Sequence, residues 1–147
     1  MPNFETHRKI NYFILLLISI CYLYFDLDRY LHFNIRIIET FFVTYILGTE
    51  LFTPDLDIKS KPSKRLGFIY LPIRWIFHHR GKLHSIFFGW IIQTIYLILI
   101  WIIILILVNK LGYNIDLSLK NVSIDYIVGF VAGLSLSNGI HIIADRL

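Results

Sequence analysis

The residues of this 147-residue chain with the most chemical capacity are a few histidines and aspartates, and their spacing is specific. His141 and Asp145 stand four apart, which on a helix puts both on one face. Such a pair delivers two ligands, or a ligand and its orienting carboxylate, to one centre. Asp55 and Asp57 follow Pro54, where a turn lets both carboxylates point toward one ion instead of to opposite sides as in a strand. His79 and His84 enclose a short basic stretch, and His7 lies near the start. Taken singly, each has an ordinary explanation: a histidine at a helix end meets carbonyls or headgroups, Asp-Leu-Asp can be a turn, and a carboxylate near the chain end can be solvated. The single cysteine, Cys21, cannot form a thiolate pair, so any metal here is held by nitrogen and oxygen. A mixed imidazole and carboxylate set suits zinc first, with manganese or iron as alternatives, and more than four candidates leave room for one divalent ion or two.

The elements that must position these residues are apolar. Hydrophobic residues make up 56% of the chain and charged residues 16%, against about 25% charged in a soluble protein. That is too little polar surface to clothe a soluble globule, so the excess faces lipid. Disordered, collagen-like and disulfide-scaffold classes are excluded by the same figures. Apolar runs at 10–25, 37–53, 85–108 and 126–144 predict a single all-α domain over 1–147, a polytopic membrane protein of about four transmembrane helices. The first two runs are short, and Lys9 and Arg36 can snorkel to extend them. The first run follows His7, Arg8 and Lys9 as a signal peptide would, but no small-residue cleavage site ends it, so it reads as an anchor.

With the spans alternating, ten of the fourteen basic residues fall on the side of the 54–84 loop, which places that loop and both termini in the cytoplasm of a multi-pass inner-membrane protein. The net charge of +4 then follows from orientation and attraction to anionic lipid, and nucleic acid is not needed as a partner. Phe68, Tyr70, Trp75 and Phe77 interleave with Pro72 and Arg74 in this basic loop and suit a segment lying in the membrane interface. Ser85 is placed to cap the third span, and Ser123 or Asp125 the fourth. Gly129, Gly133 and Ser137, at four-residue spacing, give the fourth span a seam that lets another helix approach closely. The layout brings His7, Asp55 and Asp57, His79 and His84, and His141 and Asp145 from four chain segments to one membrane face.

Pro54-Asp55-Leu56-Asp57 with Ser60 nearby, His79-Arg80-Gly81-Lys82-Leu83-His84-Ser85, and Gly139 with His141 and Asp145 resemble the YdjM-like family of membrane-bound metal-dependent hydrolases. Arg65, Gly67, Pro72 and Arg74 resemble the related uncharacterised metal-binding membrane proteins, and His7 takes the place of the early histidine in that pattern. The likeness covers nearly the whole chain, and the ordered set carries it. Leu83 departs from a common threonine, and Glu50 stands where an apolar or small residue is expected. The resemblance implies metal ligands among Asp55, Asp57, His79, His84 and His141, with His7 and Asp145 next. It also implies a catalytic part for Arg80 and His84, since Arg80 is placed to pair with a phosphate oxygen and Lys82 adds to the field. The expected reaction is hydrolysis of a phosphoester or lipid-linked phosphate at the cytoplasmic membrane face by metal-activated water. The rival expectation is a non-enzymatic metal-binding membrane protein with a structural or regulatory ion. A transporter would need polar residues deep within several spans, and Gln93, Thr44 and the serines of the fourth are few and scattered. Glu50 is buried enough by its apolar run to need a partner, as a ligand or as a group behind one.

Overall fold

Helices carry the whole architecture, and no strand occurs among the described residues. The computed structural model describes residues 4–26, 34–77, 82–85, 88–113 and 122–146, apart from the side chains of Asp57 and Lys82. Helix α1 is Phe4–Tyr24, α2 Ile35–Glu50, α3 Lys61–Leu66, α4 Leu71–Ile76, α5 Gly89–Lys110 and α6 Ile124–Ala144. Single 3-10 turns form at Pro54–Asp57, Gly67–Tyr70 and Lys82–His84. The helices fall on the four apolar runs, but only α5 and α6 among the described elements are long and apolar enough to cross a membrane. Two candidate spans are thus shown where about four are expected. Helix α1 starts ahead of its apolar run and takes in Glu5, Arg8 and Lys9. Helix α2 has 16 residues, about 24 Å at 1.5 Å per residue, and includes Arg36, Glu39 and Glu50.

The central pair is α2 on α6, and the two run parallel. Asn34 caps α2 by accepting from Arg36 N, and its amide donates to Asp125 Oδ2 at 2.8 Å, pinning the two helix starts together. Ser123 caps α6 by accepting from Asp125 N. Farther along, Gly129 faces Ile37 and Thr40, Gly133 faces Phe41 and Thr44, and Ser137 faces Gly48. The small-residue seam on α6 thus receives α2. A Cβ on Gly129 would lie 2.5 Å from the Ile37 carbonyl oxygen, and one on Gly133 would lie 2.5 Å from that of Phe41. Contact this close is available only to glycine.

Helix α1 crosses back along this pair, burying Phe4, His7, Asn11 and Leu15 at the three- and four-residue spacing of one helical face. The Tyr45 hydroxyl donates toward the Asn11 backbone carbonyl and its side-chain oxygen, each 3.0 Å away. Helix α5 meets α6 through Asn138 and Gln93, while most of its length is left uncovered by the rest of the chain.

Between α2 and α5, the segment read as an interfacial loop folds into a small cap with its own core. Leu56, Ile73 and Leu83 are its centre, with Phe52, Leu66, Tyr70, Phe77, Ile92 and Tyr96 packed around them. The Tyr96 hydroxyl donates to the Ile69 carbonyl and fastens the cap to α5. Of the aromatics expected at the interface, Phe68 and Trp75 are exposed, whereas Tyr70 and Phe77 turn inward to the cap core.

The seam makes a paired prediction. Gly133→Ala should lower stability by about 1–3 kcal/mol through overpacking against backbone that cannot retreat. Gly139→Ala, where an added Cβ meets nothing within 4 Å, should be neutral or stabilising by up to about 1 kcal/mol. Thermal unfolding of the two variants in detergent checks this, and equal losses would contradict the packing described.

Candidate metal centre

Three pieces of backbone deliver the site, and each is fixed by a neighbour. Leu56 and Leu83 are both wholly buried in the cap core, so the residues beside them, Asp55 and His84, are held at its edge. Burying a leucine of this kind contributes about 1.5–3 kcal/mol, enough to fix a turn that has few internal bonds. The Asp55 carbonyl also accepts from Ser60 Oγ at 2.9 Å and from Ile58 N at 3.3 Å. Ser60 in turn caps α3 in a reciprocal pair with Ser63. The third piece is the last turn of α6, where His141 and Asp145 lie four apart and Asp145 N donates to the His141 carbonyl.

These pieces bring Asp55, His84, His141 and Asp145 together, with one donor atom from each lying within 4.8 Å of all the others. His141 Nε2 is 3.4 Å from Asp55 Oδ2 and 3.7 Å from Asp145 Oδ2. His84 Nε2 is 3.4 Å from Asp55 Oδ1 and 3.6 Å from Asp145 Oδ2. Such separations exceed the usual hydrogen-bond range. They match ligands of a shared ion, because donors about 2.1 Å from a tetrahedral cation stand about 3.4 Å from one another. His141 Nε2 and Asp145 Oδ2 are buried and have no hydrogen-bond partner among the described residues. A buried acceptor left so is costly unless a cation meets it. The donor set therefore fits a divalent metal.

Electrostatics point the same way. Two carboxylates face each other across the group, with side-chain exposures of 15% and 11%, and Asp145 sits at the C-terminal end of α6, where the helix dipole disfavours negative charge. Burial pushes the Asp55 carboxyl up, but the His141 and His84 imidazoles beside it outweigh burial and hold it below the usual carboxylate range.

The remaining expected residues fall in three places. His7 meets the group from behind: its ring stacks on that of His141 at 3.9 Å, and its Nε2 approaches Asp145 Oδ1 at 3.1 Å. With the proton on Nε2, His7 donates to that oxygen and turns the other toward His84 and His141, the usual relation of an orienting group to a ligand. Asp57 closes the 3-10 turn, but its side chain is outside the described residues. His79 and Arg80 also lie outside the described residues. Glu50 is not in the four-residue group. It accepts from Arg8 Nε at 2.6 Å, Tyr12 at 2.8 Å and Arg65 Nη1, so it joins α1, α2 and α3.

Asn138 and Gln93 belong to none of the motifs that point to the site, yet both are buried and hydrogen-bonded to each other. Their signal is that of amides, with four hydrogen-bonding positions each, inside apolar runs.

Fold and site together give a helical protein with a candidate cation site of two histidines and two aspartates at one end of its apolar helices. The chain belongs to the DUF2227 family of uncharacterised metal-binding proteins, whose pattern matches residues 2–147. Of the two groups its motifs resemble, this is the second. It is also 44% identical over 62 residues to an uncharacterised protein of Aquifex aeolicus (strain VF5), a stretch covering 39% of this chain and 43% of that protein. The match thus spans less than half the length of this curated relative. No solved structure gives a significant match.

Replacing His141 by Ala or Asp145 by Asn should reduce bound metal to below about a tenth of the wild-type content, since losing one of four ligands costs far more than losing an outer partner. Glu50→Gln should lower the thermal midpoint and leave metal content unchanged. Elemental analysis of the purified proteins reads both, and full metal in D145N would contradict the site.

Proposed function

We propose that this protein is an integral membrane metal-dependent hydrolase acting on phosphoesters or lipid-linked phosphates at the cytoplasmic face of the cell membrane. The observation that carries the reading is the group of four nitrogen and oxygen donors at coordination spacing, with His141 Nε2 and Asp145 Oδ2 buried and without a hydrogen-bond partner among the described residues. The resemblance of the Pro54–Asp57, His79–Ser85 and His141–Asp145 motifs to membrane-bound hydrolases supports the reaction class.

The membrane assignment rests on α5 and α6, and above all on α5, whose apolar surface the chain itself leaves bare. A surface of Trp, Ile and Leu on that scale belongs in lipid. The cap suits the adjoining interface. Phe68 and Trp75 are 80% and 76% exposed, Lys64, Arg65 and Arg74 are exposed beside them, and no acid occurs from 58 to 84.

Within the site, Asp55, His84, His141 and Asp145 would hold one cation, and the absence of sulfur from this set suits zinc, manganese or iron. When bound, the ion supplies Lewis-acid polarisation of a phosphoryl oxygen and of water. His7 keeps Asp145 turned toward the group, and Leu56 and Leu83 close the cap side to solvent. Arg80 and Lys82, shortly before His84 in sequence, are the cations assigned to the phosphate's remaining charge.

A structural ion is the second reading. The donors come from the two cap turns and from α6, so an ion there would also staple cap to helix, and burial of His141 at 1% exposure favours such a role.

The metal-loaded protein should hydrolyse a phosphomonoester, a phosphodiester or a phospholipid headgroup in a screen of all three. Chelation should abolish turnover, re-addition of metal should restore it, and His84→Ala should lower kcat/KM on the order of 100-fold or more. Full metal occupancy with no turnover of any of the three would favour the structural ion.

A further inference from the structure

Gln93 of α5 and Asn138 of α6 form a polar pair that the proposed chemistry does not use. They are 1% and 2% exposed, between two predominantly apolar helices. Asn138 Nδ2 donates to Gln93 Oε1 at 2.6 Å. The other half of each amide, Gln93 Nε2 and Asn138 Oδ1, has no hydrogen-bond partner among the described residues. Turning both amides over leaves the same balance, one donor and one acceptor unmet, so the conclusion does not depend on their orientation. Amides whose only task was to join two helices would be served by their mutual bond. Two further groups left bare in apolar surroundings are costly, and a polar ligand group between them removes that cost.

The pair lies near the metal centre along both helices. Asn138 precedes His141 by three residues on the buried side of α6, a rise of about 4.5 Å. Gln93 is one turn beyond Gly89, whose Cα abuts the carbonyl of Leu83, the residue before His84. The α6 amide thus lies about one turn inward of His141, and the α5 amide one turn inward of the residue that abuts the turn carrying His84.

We infer that Gln93 and Asn138 form a subsite for a hydroxyl group on the alcohol part of the substrate, which makes the preferred substrate a polyol phosphoester. The assignment rests on the phosphoester reading of the metal centre. A hydroxyl both donates and accepts, so it meets both free amide groups at once. A carbonyl oxygen would meet only the donor, and an anionic oxygen would be set against the Asn138 acceptor.

The test is titration calorimetry of the zinc-loaded, detergent-solubilised full chain with two phosphonates that water cannot cleave, 3,4-dihydroxybutylphosphonate and butylphosphonate. The dihydroxy compound should bind about 10-fold or more tighter, because a site built to bond a hydroxyl discriminates strongly against the analogue lacking it. Asn138→Leu and Gln93→Leu should bring that ratio to about one and leave butylphosphonate affinity and zinc content unchanged. A wild-type ratio near one with both compounds bound would mean that the amides hold water only, overturning the subsite while the metal centre stands. A ratio that persists in both variants also overturns it. Binding of neither compound overturns the phosphoester reading and the subsite with it. The wild-type ratio decides the matter even where a variant folds poorly.

Discussion

Two aspartates drawn out of water toward one point set the terms for the rest of this structure. Asp55 and Asp145 come from opposite sides of the chain, and their carboxylates share the same two imidazoles at 3.4–3.7 Å. With the imidazoles neutral the group carries two negative charges in a poorly solvated place, an arrangement that a single divalent cation neutralises. The surroundings are organised to keep these charges together. Leu56 and Leu83 anchor the two turns of the cap, Ser60 ties the first turn to α3, and His7 pins one Asp145 oxygen from α1. The parallel α2 and α6 pair, locked at glycines, fixes where the last turn of α6 ends.

Much of this was visible in the sequence because the pertinent signals are chemical and local. A His-to-Asp spacing of four needs only the helical period to put both residues on one face, and the Gly129, Gly133 and Ser137 seam needs only the same period to line up. The apolar runs marked the helices for the same reason. What stayed hidden was tertiary. The 3-10 turns and six-residue helices of the cap have no periodic signature long enough to read, so Leu56, Ile73 and Leu83 could not be recognised as one core. Tyr70 and Phe77 looked like interfacial aromatics since composition cannot tell which ring turns inward. Glu50 was recognisable as a residue in need of a partner, but its partners Arg8, Tyr12 and Arg65 lie on α1 and α3, far away in sequence.

The distribution of polarity gives the molecule a direction. One end of the helices carries the donors, the Glu50 ion pairs and the basic cap, while α5 leaves that end as an almost bare apolar rod. Such a helix gains little from its own fold and much from surroundings that accept aliphatic surface. The amide pair of Gln93 and Asn138 stands at the boundary between these two regimes. Each helix thereby presents a polar side chain just inside the charged end, where an apolar residue would have packed with less cost.

The central claim is that two imidazoles and two carboxylates close around one metal ion. X-ray absorption at the metal edge of the loaded protein reads this most directly, because nitrogen and oxygen ligands, sulfur and the multiple scattering of imidazole rings give separable signals. The account predicts a four-coordinate or slightly higher nitrogen and oxygen shell at about 2.0–2.1 Å with two imidazoles and no sulfur. A sulfur ligand, or a shell with no imidazole contribution, would contradict it.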